Sequence, residues 1–354
     1  MIEDHRIIEF NRSKIFEKLE LIPEPKNYSS SIPWVVQNQI AATNGFHYLD
    51  QIGKLKEYPV YELPVEKVTG QKLMLDIGCG WGRWLIAGSN KGYTPVGVDI
   101  RLEFCETALK VMRDMGKMGF VTVGDLENLP FKHNLFDLVW SFSVIQHTHY
   151  DRLVNCLKGI NDILRADGYT MLEFPNRSGI RNQMGNVREN ESEKDDYNSW
   201  VVRYYTIEEY QQIFKTYLQD FTYTTHSFLG LGVLREDLKY VTARKKILCA
   251  ASLMLTQATH ALPFLTRYAD SLYIKARKKF NDTPQYPDIS LFWKKCALNP
   301  QDNLNIISLL KCPKYGGDLE ISEDRKRIVS PVSGNYYPVI NNVPILIASE
   351  SNPI

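Results

Sequence analysis

Leu73-Met-Leu-Asp-Ile-Gly-Cys-Gly-Trp-Gly-Arg-Trp84 is the stretch whose reading decides the fold of this 354-residue chain. The apolar residues leading into Asp76 read as the end of a buried parallel strand. Gly78, Gly80 and Gly82 then supply a tight turn, free of side chains, into a helix. Such a turn lets a cofactor touch backbone. The dinucleotide fingerprint is G-x-G-x-x-G, whose amides and open helix end hold a doubly negative pyrophosphate. Here the glycines run G-x-G-x-G, and a carboxylate, Asp76, stands two residues before the first. An acid in that place disfavours a pyrophosphate and suits a cofactor with a cationic head.

Three more strand ends follow in order. Residues 93–100 form a short apolar strand ending at Asp99, where doubly wound nucleotide folds set an acid against ribose hydroxyls. Residues 120–123 run into Gly124-Asp125-Leu126, and residues 136–147 read as a fourth strand. All four sites fall at carboxyl ends of successive strands, where an open α/β sheet binds ligands. With its D-x-G-x-G-x-G turn, the chain resembles the class I S-adenosylmethionine-dependent methyltransferases over about residues 65–300, with specific motifs from Leu73 to His147. The resemblance implies an α/β fold: a doubly wound, Rossmann-like, mostly parallel sheet of seven strands. It implies S-adenosylmethionine as cofactor, with Asp76, Gly78, Gly80 and Gly82 around it. By the same resemblance Asp99 takes the ribose hydroxyls, Ile100 packs on the adenine, Asp125 accepts from the exocyclic amine and the Leu126 amide meets a ring nitrogen. Ser141 and Phe142, on the fourth strand, run past the methionine moiety.

The chain is too long for one ordinary domain, so additions are expected. Residues 1–68 read as an N-terminal helical cap, 69–300 as the methyltransferase domain and 301–354 as a small β-rich unit. Net charge is +1, which gives no global field to draw in nucleic acid and argues against an RNA acceptor. The six cysteines are scattered without a CxxC pair and no secretory leader precedes them. Reduced thiols and a cytoplasmic location are the expectation. The stretch around Cys312-Pro-Lys-Tyr315, with residues 335–347, resembles the zinc-ribbon family whose members activate methyltransferases or are fused to them. In that family two CxxC-type pairs hold zinc. Here Tyr315 stands in place of the second thiolate, and Ser330 and Ser333 lie where the second pair is expected. One thiol and two hydroxyls cannot make a structural zinc site, so a metal-free ribbon is predicted. It would rest on Tyr336, Tyr337, Val339, Val343, Ile345 and Leu346, packed against the catalytic domain.

Residues 34–43 have helical spacing, broken at 44–48, where Phe46, His47 and Tyr48 are either acceptor contacts or parts of a packed cap. A helix around 153–164 leads to a fifth strand at 168–175. Residues 176–196 are polar, as in a mobile loop at an active-site rim. Thr206-Ile-Glu-Glu is a capping signal for a helix to about Leu218, before a sixth strand near 221–229. The seventh strand is placed at 288–298, which leaves about 232–286 as a helical insertion. Residues 247–266 carry no charge and are bracketed by Arg244, Lys245 and Lys246 and by Lys275, Arg277, Lys278 and Lys279. Gln257, His260 and Pro263 speak against a membrane span. Two readings stand for 244–279: apolar pieces lying peripherally at the inner face of a membrane, or a helical subdomain packed on the sheet or on a second subunit.

Methyl transfer asks mainly for placement, and a base helps a hydroxyl acceptor. His147 is the first candidate base, its other reading a histidine that orders its loop; Glu173 and Tyr204 follow, with Tyr205. The expected reaction is O-methylation of a small molecule or lipid-linked saccharide. An RNA or protein acceptor, and a cofactor-binding scaffold without turnover, are the alternatives.

Overall fold

The computed structural model describes residues 21–44, 46–184, 202–279, 285–348 and 352–353. Seven strands make the central sheet: β1 (Leu73–Ile77), β2 (Thr94–Asp99), β3 (Phe120–Gly124), β4 (Phe136–Ser141), β5 (Leu164–Pro175), β6 (Leu218–Ser227) and β7 (Ser271–Lys278). Their order is β6-β7-β5-β4-β1-β2-β3. The sheet is parallel from β3 to β5, and β7 runs antiparallel between β5 and β6. The order reverses between β1 and β4, and a ligand crevice opens at such a point in a doubly wound sheet.

Both faces of the sheet are covered, which is why β1 reads as a run of apolar residues with one acid. On one face Leu75, Ile77, Val98, Val139, Leu172, Phe174 and Ile274 pack under the helices Tyr150–Ile163 and Ile207–Tyr217. On the other, Met74, Leu138, Trp140, Met171 and Tyr273 meet the helices Trp34–Asn44, Arg83–Asn90 and Leu102–Asp114. Side chains alternate along a strand, so Asp76 and Glu173 fall on this second face, two residues beyond Met74 and Met171. Thr206 caps its helix as expected, its hydroxyl accepting from the Glu209 amide at 3.2 Å while the Glu209 carboxylate accepts from the Thr206 amide.

The seventh strand is Ser271–Lys278, not 288–298; Ser290–Leu298 is a helix. Leu272, Ile274 and Ala276 alternate with exposed Lys275 and Arg277, a period of two, whereas Phe292 and Cys296 are buried one helical turn apart. The insertion therefore lies between Ser227 and Ser271 and not over 232–286. It holds a short turn (Arg235–Lys239), the helix Ala243–Ala261 and a 3-10 turn (Pro263–Tyr268). The cations that followed it in the sequence are engaged elsewhere. Lys278 is buried and its ammonium donates to the carbonyls of Asn161 and Leu164 at 2.8 and 2.9 Å, closing the end of the preceding helix. Lys279 reaches the carbonyls of Lys215 and Thr216, and Lys275 lies 4.3 Å from the Tyr169 ring centre.

The carboxyl-terminal unit carries β8 (Glu320–Ile321), β9 (Arg327–Val329), β10 (Asn335–Ile340) and β11 (Val343–Leu346). Strand β11 pairs in parallel with β3, Ile345 opposite Val123 and Leu346 opposite Gly124, so this unit extends the central sheet. Tyr337, Val343, Ile345 and Leu346 are buried, Tyr336 and Val339 half-buried. At the other end, the Tyr48 and Tyr61 hydroxyls both donate to Asp237 Oδ1, at 2.9 and 2.8 Å, tying the cap to the insertion. Tyr48 is thus a packed cap residue. The side chains of Phe46 and His47, residues 1–20 of the cap and residues 185–196 of the expected rim loop lie outside the described residues.

Candidate functional site

The turn from β1 into the helix Arg83–Asn90 is left-handed at all three glycines, with φ of +75° at Gly78, +50° at Gly80 and +95° at Gly82. A Cβ at Gly78 would stand 2.3 Å from Val144 Cγ2, and one at Gly82 3.3 Å from Ala108. At Gly80 a Cβ would meet nothing within 4 Å among the described residues, so open space lies in front of that backbone. The Gly80 amide donates to Asp99 Oδ2 and the Arg101 amide to Asp99 Oδ1, each at 3.0 Å, which aims the acid that ends β2.

Asp76 is fully buried, and neither carboxylate oxygen has a hydrogen-bond partner among the described residues. Burial pushes its carboxyl up to about 8, the Arg83 guanidinium working against this and Asp99 adding to it. A buried polar group left in that state is costly. A cationic ligand that reached Asp76 would supply the missing partner, so the chemistry of this acid fits a sulfonium nucleoside with an ammonium group.

Asp99 ends β2 and Ile100 follows it half-buried; burial raises the Asp99 carboxyl against the bonds from Arg101 and Gly80. Asp125 follows β3, buried, with its carboxylate 3.2 Å from an Arg152 nitrogen and accepting from the Glu127 amide at 3.1 Å. Leu126 opens the short turn beyond it. Ser141 donates its hydroxyl to the Ile77 carbonyl at 3.0 Å and so ties β4 to β1 where the strand order reverses. Phe142 sits 5.0 Å from Trp84, ring centre to centre, with the Arg83 guanidinium 4.7 Å over its face.

The three candidate bases separate. Glu173 and Tyr204 line one cavity of about 750 Å³, together with Gln146, Arg181, Leu229 and Ser271. Glu173 is buried and its Oε2 has no partner among the described residues. Burial pushes its carboxyl up to about 7, against the Ser271 hydroxyl, the Ser143 amide and Arg83. Burial also raises the Tyr204 phenol. His147 does not line this cavity. It is half-buried on the turn Ile145–His147, and its carbonyl accepts from Arg203 at 3.1 Å. Its neighbour Gln146 takes the place in the wall, with Oε1 lacking a partner among the described residues.

His226 escaped sequence reasoning. It lies on β6 where the pairing with β7 slips by one residue, Thr225 opposite Leu272 but Ser227 opposite Ser271, a bulge that re-aims the side chain. Its ring stands edge-on to Phe142 at 5.0 Å and 4.8 Å from Tyr273, with both nitrogens lacking partners among the described residues. Burial, then Arg83, hold it neutral, with a pKa near 3. A bulge carries no composition signal, so nothing in the sequence around residue 226 announced it.

Residues 74–168 match a family described as methyltransferase domain. The chain is 35% identical over 124 residues to a mitochondrial arginine-hydroxylase of Homo sapiens, which is 35% of this chain and 33% of that protein. It therefore spans about a third of that relative. Over 52 residues it is 31% identical to a UPF0434 protein of Ectopseudomonas mendocina, 15% of this chain and 85% of that protein, and over that stretch it belongs to the UPF0434 family. Among solved structures it is similar to phosphoethanolamine N-methyltransferase 2 of Haemonchus contortus, at 19% identity and a TM-score of 0.42, covering 61% of this chain and 50% of the other. The glycine turn, its buried acid and the matched segment agree: the chain carries a class I methyltransferase domain, and its cofactor is S-adenosylmethionine.

Proposed function

We propose that the chain methylates a hydroxyl oxygen of a small molecule or lipid-linked saccharide held in the cavity beside Glu173. One observation carries this reading: two buried acceptor atoms in one cavity wall, Glu173 Oε2 and Gln146 Oε1, lack donors among the described residues. Buried acceptors in native proteins find partners, so an occupant with O–H groups completes them. S-adenosylmethionine, when bound, brings a methyl group already attached to a good leaving group. What the chain adds is placement, exclusion of water and a site for the proton. The acceptor hydroxyl donates to Glu173 Oε2, and the proton passes to that oxygen as the hydroxyl oxygen gains the methyl. A carboxyl whose pKa lies near 7 is matched to this task. Tyr204, across the same cavity, orients the acceptor.

Calorimetry with S-adenosylmethionine, followed by transfer of a tritiated methyl group to lipid, saccharide, RNA and protein fractions, tests the reading. Label in the lipid or saccharide fraction is expected. Label confined to RNA or protein would replace the acceptor class, and tight cofactor binding with no label anywhere would favour a scaffold. Glu173→Gln is expected to lower turnover about a hundredfold or more with cofactor affinity unchanged, and His147→Ala to leave turnover within about threefold.

A further inference from the structure

The helix Ala243–Ala261 is inside out. At 3.6 residues per turn, Lys245, Cys249, Ser252, Thr256 and Thr259 share one face, and this small, polar face is turned toward the protein. Cys249, Ser252 and Thr259 are buried, and Ser252 exchanges hydrogen bonds with the amide and carbonyl of Phe228 at 3.3 and 2.7 Å. The opposite face carries Ile247 and Met254, 77% and 70% accessible; Leu248 and Leu255 are exposed on its flank, and Leu262 is exposed just past the last turn. Phe264 and Tyr268, on the turn that follows, extend the patch, Phe264 being 63% accessible. A water-facing helix places its residues the other way round. Exposed large apolar side chains gathered on one helix and the turn after it mark a binding surface.

Charge identifies the occupant. Residues 238–269 hold Lys239, Arg244, Lys245, Lys246 and Arg267 and no carboxylate; Lys239 pairs with Glu57 and Lys245 lies 3.6 Å from Asp50, so the charge offered beside the apolar face is that of Lys246 and Arg267. Lys246 and Arg267 are exposed beside the apolar face. No helix among the described residues is long and apolar enough to cross a membrane. We propose that this face lies in the interface of an anionic lipid bilayer, with Ile247, Met254 and Phe264 in the acyl boundary and Lys246 and Arg267 at the headgroups. The placement has a consequence for the cavity. Phe228, the residue that Ser252 holds from the protein-facing side, precedes the cavity-lining Leu229 and Gly230, so docking would hold the cavity wall about one helix diameter, ~10 Å, behind the lipid surface. In that respect it deepens the lipid-linked reading of the acceptor and rests on it; the docking itself is measured without turnover, so either can fail alone.

The test is co-sedimentation of the full chain with vesicles of phosphatidylcholine alone, or with about a third phosphatidylglycerol, at moderate salt. Binding to the mixed vesicles only is expected. The triple variant Ile247→Ser, Met254→Ser, Phe264→Ser should lose about tenfold or more in partitioning, and Lys246→Glu with Arg267→Glu should lose it on mixed vesicles. Unchanged calorimetric binding of S-adenosylmethionine shows that each variant is folded. Absence of binding to the mixed vesicles, or a triple variant that binds like the parent chain, overturns the proposal. So does a concentration-dependent dimer that ignores vesicles and dissociates in the triple variant, which would make a second copy the occupant.

Discussion

Asp76 holds a carboxyl where water does not reach, and its protonation is coupled to what binds beside it. With a pKa near 8, the cofactor-free protein keeps it protonated at neutral pH. A cation there favours the ionised form, so binding expels a proton. Affinity for S-adenosylmethionine is expected to rise with pH and level off above about 8, with proton release measurable by calorimetry in buffers of different ionisation enthalpy. The stability effect has the opposite sign. Because the folded pKa lies above the unfolded value of about 3.9, the stabilisation tied to this group is whole below about pH 4 and is lost as pH rises toward 8. Asp76→Asn should therefore melt higher than the parent without cofactor at about pH 8, yet bind cofactor about a hundredfold more weakly, roughly 3 kcal/mol. Glu173 gives the other pH limb. If Glu173 is the acceptor base proposed above, kcat/KM should climb through about 7, and Glu173→Gln should flatten that limb. Asp76 was legible because its place depends on a turn two residues away. His226 was not, since its place beside Phe142 depends on a bulge and on a strand distant in sequence.

The strand–turn–helix unit around Gly78, Gly80 and Gly82 separates packing from binding. Gly78→Ala drives a methyl into Val144 at a left-handed position and should cost about 3 kcal/mol or more, read as a large fall in Tm. Gly80→Ala carries only the left-handed cost of about 1–2 kcal/mol, because nothing lies within 4 Å. Its methyl enters the open cradle, so cofactor affinity should fall more than tenfold while the fold persists. Melting and titration of the two variants distinguish these outcomes. Elements with a local signal, such as the capped helix Ile207–Tyr217, were readable from sequence. Strand β7 was misplaced because a two-residue period carrying Lys275, Arg277 and Lys278 looks like a basic flank. Only the partners β5 and β6 show Lys278 buried as a helix-end donor.

Across the whole molecule, β11 seals the edge that β3 would otherwise present, and Ile328, Tyr337 and Leu346 share one core with β1 and β4. A chain ending at residue 310 is expected to aggregate, since β3 becomes a bare apolar edge. The full chain should unfold in urea in one transition, and a resolved second transition would make the carboxyl-terminal unit an independent body. Chelator should leave Tm unchanged: Cys312 Sγ lies 3.1 Å from the Tyr337 hydroxyl, and the described residues hold no cluster of three metal-type side chains. Sequence by itself determined the glycine turn, its buried acid and the strand ends that follow. Each of these is written within a dozen neighbouring residues and obeys local backbone geometry. Tertiary structure alone decided the cavity that joins Glu173 to Tyr204, the outward apolar face of the inserted helix and the strand that closes the sheet. Those depend on which distant surfaces meet, and hydrophobic burial, being non-directional, leaves that choice to the packing of the whole chain.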